Sequence, residues 1–393
     1  MKYKISIVGG SIGGLFAACL LRDSGHQVNV YERSDKKLEQ RGAGIGLLEE
    51  TSRYITDVLK NPKDQFSIQT DYIRYLDRDN KVIYEKNHKY FFSSWNAIYR
   101  HLHDSFGDEK YHLGKECVDW NLESESPSIT FKDGSKVNSD LVIFADGVGS
   151  HAREKLQPNV KREYAGYVAW RGMVPETSIT EENSKILGNA ITYYVYANSH
   201  ILVYPIPGLD GSCKKGERLI NFVWYRNYAN GSELKSLLTD KNGDIRDISI
   251  PPGYVSSVHE KEAKAHADAR LPSAISEVIL KTESPFIQVV YDVIVHNMVF
   301  HSACLLGDSA NIARPHAAAG TAKAAEDAHV LNDSINNSTS IEQALKKYEE
   351  KQLAIGSKLV QRTQEIGLRS QTNNNWDPKD PIFLFGLKDP GTA

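Results

Sequence analysis

Cysteine is scarce and scattered. The 393 residues hold four, Cys19, Cys117, Cys213 and Cys304, and no two of them form a CxxC pair. Such spacing offers no zinc knuckle and no disulfide framework, so reduced thiols in a cytoplasmic protein are the expectation. An excess of positive charge is also missing. The formal net charge is −3, which disfavours nucleic acid or an acidic membrane as a partner. No apolar run approaches the roughly 20 residues that span a bilayer. The opening apolar stretch, Ile5 to Val8, is broken at Gly9-Gly10, so no secretory leader is expected. Internal repeats, long low-complexity tracts and metal-ligand spacings are absent as well. What remains is a chain that is 40% hydrophobic and 25% charged, an ordinary globular composition with enough length for two domains, one inserted in the other.

The pattern opens as alternating β and α. Lys4 to Val8 reads as a buried parallel strand, Leu15 to Asp23 has helical spacing, and Val28 to Glu32 is the next strand. This is a βαβ unit. Tyr72 to Asp77 and Lys81 to Glu85 read as a hairpin, Trp95 to Phe106 as a helix, and Leu141 to Ala145 as a buried strand. Residues 165–285 carry short Tyr/Val/Ile runs that predict a largely antiparallel sheet. His259 to Arg270 reads as a helix, Pro272 sits in the first turn of another, and Ile341 to Glu365 is helical. The fold class is therefore α/β with an α+β part: a Rossmann-like domain, an inserted antiparallel sheet and C-terminal helices. The expected division is 1–70, 95–164 and 286–372 for a nucleotide-binding domain, 71–94 and 165–285 for a substrate domain, and an irregular tail over 373–393.

Three segments carry chemistry. Gly9-Gly10-Ser11-Ile12-Gly13-Gly14 nearly fits G-x-G-x-x-G, with Ser11 in the middle glycine position, and Glu32 ends the second strand. A carboxylate there binds ribose hydroxyls and disfavours a 2′-phosphate, so the site suits FAD or NAD. Gly9, Ser11, Ile12, Gly14, Glu32 and Arg33 are the expected cofactor contacts. The second segment, Asp140 to Arg153, is a strand entering a DGxxSxxR turn, with Asp146 and Arg153 as candidates. In the third, a buried strand runs into Gly307-Asp308, then a small-residue loop with Pro315, Ala318, Ala319 and Gly320, then a helix. Such a loop brings backbone N–H groups and a helix N-terminus close to a planar anion. A further cluster, Gly42 to Gly46, reads either as a flexible loop or as backbone clearance beside a flat ring, with Gly44 and Gly46 as contacts.

In this order and spacing the segments resemble the flavin-dependent aromatic hydroxylases with a single FAD domain, the para-hydroxybenzoate hydroxylase-like family. The resemblance spans almost the whole chain. Ser94-Trp-Asn-Ala-Ile-Tyr, Tyr164 to Gly172, His200 to Gly208, Asn221 to Asn227 and Arg314 to Gly320 are similar to the hydroxypyridine-hydroxylase branch. The resemblance implies that Asp308 contacts the FAD ribityl chain and that Glu32 contacts the ribose. It puts Asp146 and Arg153 between the pyrophosphate and the nicotinamide path, and the 315–320 loop beside the isoalloxazine. Departures exist: Trp95 stands where many members have Arg, Asn311 replaces the usual His, and Ala318 and Ala322 replace Gly and Asn.

The implied activity is hydroxylation of a small electron-rich ring by FAD, NADPH or NADH, and O₂, through a flavin C4a-hydroperoxide. A hydroxypyridine-type N-heteroaromatic is the leading substrate class. The alternatives are another ring, such as urate or a hydroxybenzoate, or a non-oxygenating flavoprotein such as an NAD(P)H oxidase or redox regulator. His200 is the candidate base, because histidine titrates near neutral pH, and His316 is the second candidate. Trp170, Tyr204 and Tyr225 are candidate pocket walls, against the alternative that aromatics at strand spacing are core. No metal is expected, and a homodimer stays open.

Overall fold

In the computed structural model, the described residues are 2–39, 43–124 and 126–392. Gly42 of the second glycine cluster lies outside them. Two sheets organise the chain. The first has six strands in the order β17-β18-β10-β1-β2-β6. These are β1 (Lys4–Val8), β2 (Gln27–Tyr31), β6 (Tyr111–His112), β10 (Leu141–Phe144), β17 (Val299–Phe300) and β18 (Ala303–Leu305). All neighbours are parallel except the β17–β18 pair. Leu141–Phe144 and Ala303–Leu305 are buried at every position, as expected of central strands covered on both faces. The helix Ile12–Asp23 covers this sheet, the helix Gly320–Asn336 packs on it, and the long helix Ile341–Gln371 packs on that in turn.

The second sheet has nine strands in the order β15-β16-β11-β14-β13-β12-β4-β5-β3. They are β3 (Gly44–Gly46), β4 (Ile68–Leu76), β5 (Val82–Ser94), β11 (Glu163–Pro175), β12 (Ala190–Tyr196), β13 (Ser199–Ile206), β14 (Leu219–Asn227), β15 (Ser249–Ile250) and β16 (Phe286–Asp292). Among the described residues of this sheet, only β12 and β4 pair in parallel. A small sheet of β7 (Cys117–Asn121), β8 (Ser128–Phe131) and β9 (Lys136–Asn138) completes the strands. Two strands from stretches expected with the nucleotide part pair into the second sheet: β3 with the end of β5, and β16 with β11.

Both faces of the central strands of the second sheet are buried. On one face Val168, Trp170, Ile201, Val203, Phe222 and Trp224 meet the helices Ser257–Arg270 and Ser273–Leu280. On the other, Tyr167, Ala169, Leu202, Tyr204, Val223 and Tyr225 form a separate cluster that includes Ala317, Ala319 and Phe385. Strand alternation puts successive residues on opposite faces, so each strand contributes to both clusters. Pro272 caps the second of these helices from outside it, with an extended ψ of 142°. The Ile341 helix runs six residues past the expected Glu365, to Gln371, because its last turns bury Ile366, Gly367, Ser370 and Gln371. The tail is irregular apart from one turn at Pro381–Phe383, yet Phe383, Phe385 and Leu387 are buried. Among the described residues, no helix is long and apolar enough to cross a membrane.

Candidate active site

The site begins at the first β–α turn. Gly9 has φ +106°, and a Cβ there would run into the Ala145 carbonyl just past β10. A Cβ on Gly14 would collide with the Gly9 carbonyl, so this glycine lets the helix sit close on its own turn. Ser11 caps the helix without a side-chain hydrogen bond. The Glu32 carboxylate accepts from Gly10 N at 2.9 Å on Oε2 and from Ser34 N at 2.9 Å on Oε1. Each oxygen keeps a second lone-pair direction for a ligand. These groups open onto a cavity of about 540 Å³ lined by Gly9, Ser11, Glu32, Arg33, Trp95, Trp120 and Asp146, among others.

A second cavity, of about 430 Å³, continues from it. The two share Ser11, Trp95, Ala145 and Gly147 as wall residues. Ile12, Gly44, Gly46, Asp308, Pro315, Ala318, Ala319 and Gly320 all line this second chamber. Asp308 follows the left-handed Gly307 (φ +68°), whose N–H donates to Asp327 Oδ2 at 2.8 Å. The buried Lys323 holds the same turn, donating to the Gly307 carbonyl at 3.1 Å and pairing with Asp327 at 2.6 Å. The Asp308 carboxylate faces the chamber and makes no hydrogen bond with a described residue. Burial raises its pKa, against the pull of Lys323 and Arg153. Ala318 is left-handed (φ +53°), and the helix Gly320–Asn336 starts with no side-chain cap, so its first N–H groups stay available beside the chamber. A Cβ on Gly46 would come within 2.7 Å of the Ala318 Cβ.

Beyond this loop the chamber is walled by the sheet face carrying Ala169, Arg171, Leu202, Tyr204, Val223 and Tyr225, with Phe92, Gln288 and Phe385 around it. Tyr204 stacks on Phe92 at 4.2 Å. Trp95 stacks on Tyr99 at 5.0 Å and presents a neutral indole to both cavities.

Several expected roles need correction. Trp170 is on the opposite face of β11, buried against the helices with Phe222 and Trp224, so it is core and not a pocket wall. Arg153 lines neither cavity. It is fully buried and donates to the carbonyls of Val148, Asp308 and Ser309, tying the two turns together. Asp146 spends its carboxylate on Ser150 Oγ (2.6 Å) and Ala152 N (3.2 Å), and only its end of the turn borders the cavity. Gly14 acts through packing and does not line the cavities.

Neither histidine reaches the chamber wall. His200 is buried, stacks on Tyr225 at 4.5 Å and meets Gln371 Nε2 through Nδ1 at 3.0 Å. Burial alone pulls its pKa down to about 3. His316 Nε2 meets the Tyr167 hydroxyl at 2.6 Å, and Arg314, paired with Asp292 at 2.7 Å, lies against the same tyrosine. Burial first, then His200 and Arg314, keep His316 well below its ordinary pKa. Both rings are neutral packing groups behind the wall, which removes them as bases poised near neutral pH. The sequence reading missed Arg171, Gln288 and Phe385. The alternation that excludes Trp170 selects Arg171, once the cavity face of β11 is known.

Residues 7–36 match an NAD(P)-binding Rossmann-like domain and residues 164–292 an FAD binding domain-like family. The chain is 34% identical over 390 residues to 2,6-dihydroxypyridine 3-monooxygenase of Paenarthrobacter nicotinovorans, covering 98% of this chain and 96% of that protein. The solved 2,6-dihydroxypyridine-3-hydroxylase from Arthrobacter nicotinovorans superposes with a TM-score of 0.94 at 32% identity, over 99% of this chain and 98% of that one. Klebsiella pneumoniae HpxO, solved with FAD and uric acid, shares the fold at TM-score 0.76 and 20% identity, over 94% and 90% of the two chains.

Proposed function

The chain belongs to the FAD-dependent aromatic monooxygenases of the para-hydroxybenzoate hydroxylase-like family, and from that premise we propose a hydroxypyridine-type N-heteroaromatic as its substrate. The protein is an FAD-dependent hydroxylase that draws electrons from NAD(P)H and uses O₂ on a small aromatic ring. The observation that carries the proposal is the continuity of the two cavities, which joins a nucleotide-binding turn to an aromatic chamber through four shared wall residues.

The residues fit FAD along this path. In our reading Glu32 accepts from the ribose hydroxyls, and the Gly9–Ile12 turn with the helix N-terminus faces the pyrophosphate. Asp308, whose carboxylate has no hydrogen-bond partner among the described residues, would accept from the ribityl chain. Pro315 to Gly320 would hold the isoalloxazine, and the uncapped N–H groups of the Gly320 helix would favour negative charge on it. Gly44 makes room for Tyr204 and Asn221, and Gly46 for Ala318 and Phe385, so this wall packs closely beside the space for the ring system. FAD, when bound, supplies the transfer of electrons from NAD(P)H to O₂ and the delivery of one oxygen atom to the ring. The chain's own work is to hold the substrate ring in the Tyr204–Tyr225 chamber and to keep water out, with Phe385 and Phe92 closing the wall. A cytoplasmic location fits four cysteines that are all free.

The test is the purified enzyme with a panel of hydroxypyridines, hydroxybenzoates and urate, following NAD(P)H oxidation and product mass. A hydroxylated pyridine with matching NAD(P)H consumption is expected. Only H₂O₂ from every hydroxypyridine, with product from another ring, would sink the substrate assignment.

A further inference from the structure

One corner of the aromatic chamber holds polar groups that the fold does not use. Tyr204 and Asn221 are cross-strand partners on β13 and β14, and Arg171 stands on the neighbouring β11. All three converge on Gly44, where a Cβ would lie 2.7 Å from Tyr204 Cε2 and 2.9 Å from Asn221 Cγ. The Gly44 N–H donates to Asn221 Oδ1 at 3.0 Å, and Arg171 Nη2 donates to the Gly44 carbonyl at 2.6 Å. Arg171 Nη1 donates to Gln288 Oε1 at 2.8 Å. These bonds fix both side chains and leave two buried donors unpaired, Arg171 Nε and Asn221 Nδ2.

No ion pair joins Arg171 to a carboxylate among the described residues, so its charge is balanced by neutral acceptors alone. Arg171 is half-buried, and a cation partly withdrawn from water with no anion beside it gains from a ligand that supplies one. Burial raises the Tyr204 pKa, and its neighbours Arg171 and Asn221 pull against that rise. Arg171 can only donate to the Tyr204 oxygen, so the Tyr204 O–H is shared between Asn221 Oδ1, which already accepts from Gly44, and the chamber. The chamber is the open direction.

We propose that Arg171 and Tyr204 form a binding corner for an anionic ring oxygen, so that the enzyme selects a substrate already deprotonated in solution and needs no protein base. This rests on the hydroxypyridine reading and deepens it. The proton leaves to bulk water before the ring enters. The bound ring keeps the electron density that attack by an electrophilic oxygen requires. It also accounts for a chamber whose two nearest histidines are neutral and set behind the wall.

The experiment measures binding of 4-nitrophenol to the FAD-loaded protein by its phenolate absorbance, across pH, in the wild type, Arg171→Gln, Arg171→Lys and Tyr204→Phe. The same variants are assayed with 2,6-dihydroxypyridine for KM against pH. FAD content and thermal midpoint are measured in each to exclude misfolding. In the wild type, the bound probe should remain phenolate below its solution pKa. Arg171→Gln should weaken phenolate binding by roughly 10- to 100-fold, as loss of a charged hydrogen bond would, with partial recovery in Arg171→Lys. Tyr204→Phe should weaken it several-fold. KM should follow the substrate's own pKa in the wild type and lose that dependence in Arg171→Gln. If a hydroxypyridine is hydroxylated but Arg171→Gln leaves both phenolate affinity and the KM profile unchanged, the corner is refuted and the substrate reading survives. If phenolate binding depends on Arg171 while no hydroxypyridine is turned over, the corner stands and the substrate reading falls. Should the wild type bind neither ring, both are overturned.

Discussion

Phe385 belongs to a segment whose composition announces no structure, yet it closes the chamber. Its ring lies 4.6 Å from Tyr90 and 6.3 Å from Phe92, and it faces Gly46. Its backbone N–H donates to the Tyr90 hydroxyl at 2.9 Å. Phe385→Ala keeps that backbone tie, so the tail stays docked and only the ring is lost. Truncating a core Phe costs about 3–5 kcal/mol. Here one side of the ring already faces a cavity, so fewer packed atoms lose partners and the lower end, about 3 kcal/mol, is expected. The vacated ring volume joins the chamber and admits on the order of three waters. Water beside the reacting centre diverts reduced oxygen to H₂O₂, so product per NAD(P)H should fall while NAD(P)H oxidation continues. Urea unfolding reads the first quantity, and product mass against peroxide reads the second. A stability loss under about 1 kcal/mol together with unchanged coupling would show that Phe385 is not part of the wall.

Other outcomes follow from the same geometry. Asp308→Ala should lower FAD retention on gel filtration with little loss of fold, and full flavin occupancy would remove Asp308 as a ligand. Gly46→Val should also yield flavin-poor protein, since its Cβ falls 2.7 Å from the Ala318 Cβ and a branched side chain fills the chamber; normal flavin absorbance would contradict this. Tyr167→Phe leaves His316 Nε2 without its 2.6 Å partner and should cost about 1–3 kcal/mol by denaturant unfolding. On acidification, unfolded His200 takes a proton near pH 6.5, whereas the folded ring takes one only near about 3. The unfolded state therefore binds more protons between these values. The stability contributed by neutral His200 is complete above about pH 6.5 and is lost as pH falls toward 3. His200→Phe should flatten that acid limb in a pH series of urea midpoints, and an unchanged limb would reject His200 as its source.

The parts of the site that sequence made legible are those written in local chemistry. The first β–α–β unit, the Asp146 turn and the Gly307-Asp308 turn each combine a buried strand with glycine at a left-handed or close-packed position. Such constraints show in a few adjacent letters. What was hidden depends on the other face of an element. Trp170 and Arg171 are neighbours on a strand buried on both sides, so hydrophobicity could not say which side held the cavity. His200 and His316 have the right side chain for a base, but their neutrality comes from tertiary burial. The tail misled through average polarity, since Phe383, Phe385 and Leu387 are isolated apolar residues among polar ones.

The strand order carries a consequence for how the enzyme comes into being. In the parallel sheet β1 lies beside β10, which lies beside β18, so the opening βαβ unit completes its sheet only when Ala303–Leu305 arrives. The ring chamber waits longer, because Gly46 meets Phe385. A chain emerging from the ribosome thus displays its glycine turn early but has no dry compartment until Phe385 is present. Long-range closure of this kind is slow and leaves apolar strand edges exposed meanwhile. It also means that a partly made chain cannot reduce oxygen productively: nucleotide recognition can come first, but the shielded reaction space is assembled last.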